Sequence, residues 1–336
     1  MLRASAATLA GLGLGGGALA SIGPADAQGL TALKVQYDWL MSNGQIGDVI
    51  AEKKGFFAEQ GLNVSFVPGG PNAQTVPPVL TGQALVGQLS GTSQALMAYG
   101  AGRPVKMFAC GYQYSPYAFI SLPRAPIRIP SDFVGKTVAV QPTGRFILDL
   151  ILAQHRIDPA KVRVVNMGHD MTALTTGQVD AVTGFITNTK AMQVVGPDRI
   201  VMTSESAGIT NYANAYFTSS ETYEAQKPVL ARFIKAVAKG WGWAFQNRAE
   251  AIDILCDTYP NLDREIERAT VDIVMEISFD RITRTKGWGW FEAERIERQI
   301  KLFDSIKRFE TRVPDIAGFA THDILDMTAD ARPRLG

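Results

Sequence analysis

The chain is 336 residues long, 46% hydrophobic and 19% charged, and its 33 basic and 32 acidic residues leave a formal charge of +1. This composition excludes disordered, collagen-like and low-complexity chains, and the length predicts about two domains. The balanced charge, with no basic stripe, excludes a nucleic-acid backbone as partner.

The chain opens on one base, Arg3, then a small, apolar, Gly-rich stretch over 6–22, then Ala25-Asp26-Ala27. That order predicts a secretory signal over 1–27, a mature chain starting near Gln28, and export to the periplasm. No later window is apolar enough for a membrane span. From residue 33 short apolar runs alternate with helical stretches. Strands are predicted over 33–37, 64–67, 85–89 and 105–109, and helices over 47–60, 76–81 and 93–99. A second series follows Pro116, with strands over 118–121, 137–140, 162–165 and 179–184 and helices over 145–156, 171–176 and 188–194. From Pro228 onward the period is helical, over 229–246, 249–258, 263–277 and 291–309. Such alternation predicts α/β structure with parallel sheets covered on both faces. The terminal helices need a sheet to cover, and the first sheet is the nearest. Residues 30–115 and 217–330 are therefore expected to form a discontinuous first lobe, and 116–216 a second. Two crossovers would join the lobes, with a ligand cleft between them at the carboxyl ends of the strands.

Cys110 and Cys256 lie in unrelated apolar segments and read as buried thiols rather than a bridge. His155, His169 and His322 are widely separated, so no metal site is expected. Gly91-Thr92-Ser93-Gln94-Ala95 falls one glycine short of a nucleophile elbow, and no histidine stands in a triad context.

Several segments carry a resemblance when taken in order. Lys54-Gly55-Phe56-Phe57-Ala58-Glu59-Gln60-Gly61-Leu62-Asn63-Val64 follows Asp38-Trp39 and Asn43-Gly44-Gln45-Ile46-Gly47. Then come Leu80-Thr81-Gly82, Gly102-Arg103-Pro104-Val105, Asp132-Phe133-Val134-Gly135-Lys136 and Leu174-Thr175-Thr176-Gly177-Gln178-Val179-Asp180-Ala181. Together they resemble the solute-binding proteins for thiamine-pyrimidine precursors, sulfonates and nitrate. The resemblance implies a two-lobed type II periplasmic-binding-protein fold that closes like a flytrap. It also implies a small-molecule ligand, an ABC permease and ATPase as partners, a monomer, and no cofactor. Within that group Asp38-Trp39 is most similar to the pyrimidine-precursor binders. Met41, Ser42 and Gln45 depart from their pattern, and Lys190 stands where they carry an acid. The same fold implies two rivals, an iron-dependent pyrimidine-precursor synthase and a sensor that presents its ligand to a receptor. The synthase would need a cysteine-rich motif that this chain lacks.

The candidate ligand-binding residues follow from strand ends and group chemistry. Trp39 offers an aromatic face and one N–H, or is a packing residue. Asn43 and Gln45 can read the mixed edge of a heterocycle, or cap a helix. Gly91, Thr92 and Ser93 form a strand-to-helix turn suited to an anion or carbonyl. Thr143, Gly144 and Arg145 form the matching turn of the second lobe, with a guanidinium added. Tyr114 and Tyr117 lie at the outward crossing, Asn211, Tyr212 and Asn214 at the return, and Phe185 and Asn188 at a second-lobe strand end. Arg145 and Lys190 together favour a planar ligand with negative character, a carboxylated or sulfonated ring, over an aminopyrimidine.

Overall fold

The computed structural model describes residues 29–70, 73–141, 144–167 and 170–336. The expected signal segment and Thr143 lie outside the described residues. The first sheet has the order β2-β1-β3-β10-β4, built from β1 (Thr31–Tyr37), β2 (Leu62–Val67), β3 (Val86–Gly91), β4 (Val105–Tyr112) and β10 (Ala213–Ser219). The second has the order β7-β6-β8-β5-β9, from β5 (Tyr117–Ser121), β6 (Thr137–Val140), β7 (Arg163–Asn166), β8 (Ala181–Phe185) and β9 (Ile200–Thr203). The fold is thus α/β with two sheets, as the alternation predicts.

Both sheets are mixed rather than purely parallel. β10 runs antiparallel to β3 and β4, and β5 antiparallel to β8 and β9. These are the first strands laid down after each crossing. A chain arriving from the other sheet enters at the edge where the resident strands end, so it runs against them. β9, with the short run Ile-Val-Met-Thr, was not among the predicted strands.

The helices of the first half are α1 (Ile46–Lys53), α2 (Phe56–Glu59), α3 (Val76–Leu80) and α4 (Thr92–Gly100). The predicted single helix over 47–60 is broken between α1 and α2, where Gly55 takes φ +78°, a left-handed conformation only glycine adopts freely. The second sheet carries α5 (Arg145–Gln154), α6 (Thr172–Thr175) and α7 (Thr189–Val195). The terminal run is α8 (Ser220–Gln246), α9 (Arg248–Thr258), α10 (Arg264–Ser278), α11 (Arg281–Lys286), α12 (Ala293–Ser305), α13 (Ile316–Phe319) and α14 (Asp323–Met327). α8 starts earlier than predicted because Ser219 caps Thr222 N, and it bends at the non-helical Gln226, ahead of Pro228. Among the described residues, no helix is long and apolar enough to cross a membrane.

One apolar core surrounds the first sheet, centred on Val35, Val86, Phe108, Phe217, Phe233 and Trp241. The second sheet separates two smaller cores, one around Phe119, Phe133, Leu148 and Ile151 and the other around Ile120, Leu174 and Val182. Phe303 of α12 is buried in the former. α12 therefore does not belong to the first sheet alone. Arg295, Gln299 and Phe303 recur every four residues and share one helix face. Arg295 bonds Glu205, Gln299 bonds Ser93 and Asn211, and Phe303 enters the second sheet's core. Cys110 and Cys256 are free and buried.

Candidate functional site

Strand register fixes which edges of the two sheets face each other. Ala213 pairs with Gly91 on one side and with Tyr112 on the other. The ends of β3 and β4 and the start of β10 thus lie on one edge, and β1 ends beside them. In the second sheet Tyr117 pairs with Phe185, and Ala118 with Thr203. Residues 113–116 and 204–212 connect these two edges and no others.

On the first edge Asp38 gathers donors from three segments. Its Oδ2 accepts from Ser90 N at 3.3 Å, Ser90 Oγ at 2.6 Å and Gln94 Nε2 at 3.0 Å. Its Oδ1 accepts from Thr75 Oγ1 at 3.1 Å. The carboxylate thereby ties β1, β3, α3 and α4 together and fixes the loop that follows. In that loop Trp39 is 43% exposed and Leu40 lies beside it, also exposed. Gly69 N donates to Trp39 O at 3.0 Å. A Cβ at Gly69 would stand 2.4 Å from the Tyr37 oxygen and the Asp38 carbonyl carbon, so only glycine lets the two loops touch.

The next turn, Asn43–Gln45, is capped by Ser42 in a capping box with Gln45. Asn43 and Gln45 are both buried, and neither presents its donors to solvent. Asn43 N and Nδ2 donate to Glu267 Oε2 at 3.1 and 2.5 Å, and Nδ2 also donates to Glu267 O at 2.9 Å. Gln45 Nε2 donates to Gln88 Oε1 at 3.0 Å. Asn214, at φ +49°, donates through Nδ2 to Gly44 O at 2.7 Å. These three residues hold the turn against α10, β3 and β10.

The Gly91-Thr92-Ser93 turn is not an open anion cradle. Asn211 Oδ1 accepts from Ser93 N at 3.3 Å and Ser93 Oγ at 3.1 Å, and takes a third donor, Gln299 Nε2, at 3.1 Å. Thr92 Oγ1 lies 2.8 Å from both Asn211 Oδ1 and Gln299 Oε1. A side-chain carbonyl already stands where an anion would, on the positive end of α4.

Both crossings are polar and partly unsatisfied. Gln113 N donates to Ile277 O and Gln113 Nε2 to Trp290 O, but Gln113 Oε1 is buried without a partner. Tyr114 is half-buried, and burial, reinforced by Glu276, Glu205 and Asp280, raises its hydroxyl pKa. On the return, Glu205 Oε1 accepts from Arg295 Nη2 at 2.9 Å while Oε2 is buried and unpartnered. Burial raises the Glu205 carboxyl against the pull of Arg295 and Arg298. Arg295 also lies over the Tyr212 ring at 4.6 Å.

On the second edge Tyr117 packs edge-on against Phe119 and Phe185. A Cβ at Gly144 would lie 2.0 Å from its hydroxyl; glycine is required there for close approach. Burial pushes the Tyr117 hydroxyl pKa well up. Phe185 is 38% exposed. Asn188 caps α7, its Oδ1 accepting from Ala191 N at 3.2 Å. Arg145 points along its own helix, Nε donating to Asp149 Oδ1 at 2.9 Å, with both side chains solvent-exposed. Arg145→Ala is accordingly expected to leave ligand affinity within about twofold of the parent, since exposed i,i+4 pairs contribute little. A larger loss by calorimetry would put the guanidinium in the cleft.

The structure thus leaves Trp39 and Phe185 exposed on opposite edges, with Tyr114 between them at the crossing. It spends Asn43, Gln45, Gly91, Thr92, Ser93 and Asn214 on internal contacts. Glu267, Gln299, Glu205 and Arg295 were not among the sequence candidates. Only α10 carries a signal for its member, a carboxylate at the head of the otherwise mostly apolar buried stripe Thr270, Val271, Val274 and Met275. Two hollows, of about 310 and 430 Å³, border the second sheet; the first reaches the end of β7 at Asn166 and Met167, and the second lies between α5 and residues 306–308, and neither is lined by Trp39, Tyr114 or Phe185. Among the described residues no group of three His, Cys, Asp or Glu side chains is placed to hold a metal.

Residues 43–251 match the family model described as NMT1/THI5 like. The chain is 26% identical over 292 residues to the formylaminopyrimidine-binding protein of Halalkalibacterium halodurans, covering 83% of this chain and 87% of that protein. It is 21% identical over 262 residues to a 4-amino-5-hydroxymethyl-2-methylpyrimidine phosphate synthase of Legionella pneumophila, covering 76% and 82%. Among solved structures it resembles the periplasmic aliphatic sulphonate binding protein SsuA of Escherichia coli, with a TM-score of 0.67 and 17% identity over 85% of this chain and 91% of that one. That likeness gives the fold, the two-lobed one of periplasmic binding proteins.

Proposed function

The chain belongs to the NMT1/THI5-like family, and from that premise we propose that it is an extracytoplasmic solute-binding protein delivering a planar nitrogen heterocycle to an ABC importer. The carrying observation is the pair of exposed aromatics, Trp39 and Phe185, on the facing edges of two sheets joined by two crossings. Exposed rings of this kind are what a flat ligand needs from each side. Residues 30–112 with 213–330 act as one lobe and residues 117–203 as the other, so the return falls a few residues earlier than the expected boundary at 216, and α12 also packs on the second sheet through Phe303. Hinged closure around the ligand is then favoured because only the closed form offers both sets of contacts. The likeness to the formylaminopyrimidine-binding protein supports the ligand class.

The edge chemistry favours a ligand rich in donors over the anion expected from sequence. Asn43 Oδ1, Gln113 Oε1 and Glu205 Oε2 are buried acceptors without partners. Arg145 is paired and the α4 N-terminus is filled. Tyr117 Oη and Ser204 Oγ, also buried without partners, can donate as well as accept, which suits the mixed edge of a heterocycle.

A relative named as a synthase keeps an enzyme in view. Against it, burial raises the pKa of both thiols, Cys110 and Cys256, so neither is a ready nucleophile. We read the protein as a binder that performs no chemistry.

The test is a thermal-shift and calorimetry screen of periplasmic protein with formylaminopyrimidines, aminopyrimidines and alkanesulfonates. An aminopyrimidine is expected to raise Tm by mass action. Trp39→Ala is expected to weaken that binding by ~1–3 kcal/mol. Binding of the sulfonates alone would overturn the heterocycle reading.

A further inference from the structure

We propose that Glu267 is a specificity-determining positioning residue: it fixes the Asn43 side chain so that Oδ1 is offered as an acceptor to an N–H or O–H of the ligand. The inference rests on the heterocycle reading above and assigns a role to a residue that lies outside the matched family segment.

The argument is one of hydrogen-bond polarity. An amide can be turned end for end at almost no cost in shape, so its orientation is set by its partners. Asn43 faces two atoms of one residue, the Glu267 carboxylate Oε2 at 2.5 Å and the Glu267 backbone oxygen at 2.9 Å. A carbonyl oxygen can only accept, and an ionised carboxylate likewise. The group turned towards them must therefore be the NH2. Oδ1 then points away, and it is the atom of Asn43 that is buried with no partner. The backbone N of Asn43 donates to the same Oε2 at 3.1 Å, so the turn and its side chain are held together.

A simple staple between the Asn43–Gln45 turn and α10 would not need to leave an acceptor orphaned. Buried polar groups are almost always satisfied, and an exception calls for a missing partner. The position of α10 says where that partner comes from. One turn beyond Glu267, about 5 Å along the axis, Thr270 Oγ1 meets Thr189 Oγ1 at 2.8 Å. Thr189 Oγ1 also lies 3.4 Å from Ile266 O. Thr189 opens α7, directly after the second-sheet edge that carries Phe185 and Asn188. The same stretch of α10 that orients Asn43 thus touches the opposite lobe. Asn43 stands at the boundary between lobes rather than deep within one.

Two measurements test the assignment. In the ligand-free protein, the Asn43 side-chain amide resonances, identified by their loss in Asn43→Asp, should be shifted downfield and protected from exchange. They should move towards ordinary values in Glu267→Gln. Resonances already like those of an exposed asparagine in the parent would overturn the proposal. In calorimetry with 4-aminopyrimidine and 4-methylpyrimidine, which has nearly the same shape but no N–H to donate, the parent should prefer the amine by about ten-fold. Glu267→Gln leaves the backbone oxygen in place but replaces the charged acceptor by an amide that can present either end, so Asn43 is held less firmly and the preference should fall below about threefold. An unchanged preference in a Gln variant that melts cooperatively would overturn it. If the parent binds neither probe, the heterocycle reading fails, and the amide spectrum alone decides the role of Glu267.

Discussion

Gly240→Ala should destabilise the protein by about 3 kcal/mol or more, against the gain of ~1 kcal/mol that alanine brings to an ordinary helix interior. α1 and α8 cross with their backbones in contact. A Cβ on Gly240 would lie 2.0 Å from Gly47 O, 2.9 Å from Ala51 N and 3.0 Å from Ala51 Cβ. The first two obstacles are main chain, so no rotamer change relieves them. The approach is reciprocal, because a Cβ on Gly47 would lie 2.1 Å from the Trp241 ring. Trp241 in turn stacks on Trp288 at 5.7 Å and meets Tyr112 edge-on at 6.2 Å. Pushing α8 away would open the centre of the first core and shift the start of α1, which follows the Asn43–Gln45 turn directly. Urea unfolding measures the loss. A neutral or stabilising Gly240→Ala would mean that the two helices do not touch as described.

The sequence was most legible where the signal is local. Strands β1, β3, β4, β5 and β6 follow apolar runs bounded by turns, and the helical tail follows its period. Arg145 and Asp149 sit four residues apart on one helix, so their pairing was available from the sequence. Asn43 and Gln45 were read as free amides for a ligand because their partners are remote. Glu267 lies 224 residues away and Gln88 lies 43 away. No window-based reading connects such pairs. The filled turn at Thr92 and Ser93 has the same cause, since Asn211 and Gln299 come from the return crossing and the terminal helices. What escaped the sequence was therefore not the kind of residue at the site but which of its hydrogen bonds were already spent.

Asp48→Asn should remove a stability slope between about pH 4 and pH 6. Asp48 is fully buried in the first turn of α1. Tyr37 Oη donates to Oδ2 at 2.7 Å, and Tyr216 Oη lies 2.8 and 2.9 Å from the two carboxylate oxygens. Burial raises the carboxyl to about 6; hydrogen bonds from Tyr37 and Tyr216 hold it back only in part. The folded chain therefore holds this proton more tightly than the unfolded chain, whose aspartate titrates near the usual ~4. The contribution to stability is fully present below about pH 4. It declines as pH rises through the folded value and is gone above it, a change of ~3 kcal/mol. The fold tolerates this at neutral pH because the carboxylate ties α1 to β1 and β10, the strands on either side of β3. Asparagine keeps one carbonyl acceptor for a tyrosine, and its NH2 can donate to the other hydroxyl. The variant should then gain relative to the parent as pH rises from 4 to 7, by about that 3 kcal/mol. Denaturant unfolding of both proteins across this range is the measurement. Parallel stability curves for parent and variant would show that Asp48 keeps an ordinary carboxyl affinity for its proton despite its burial.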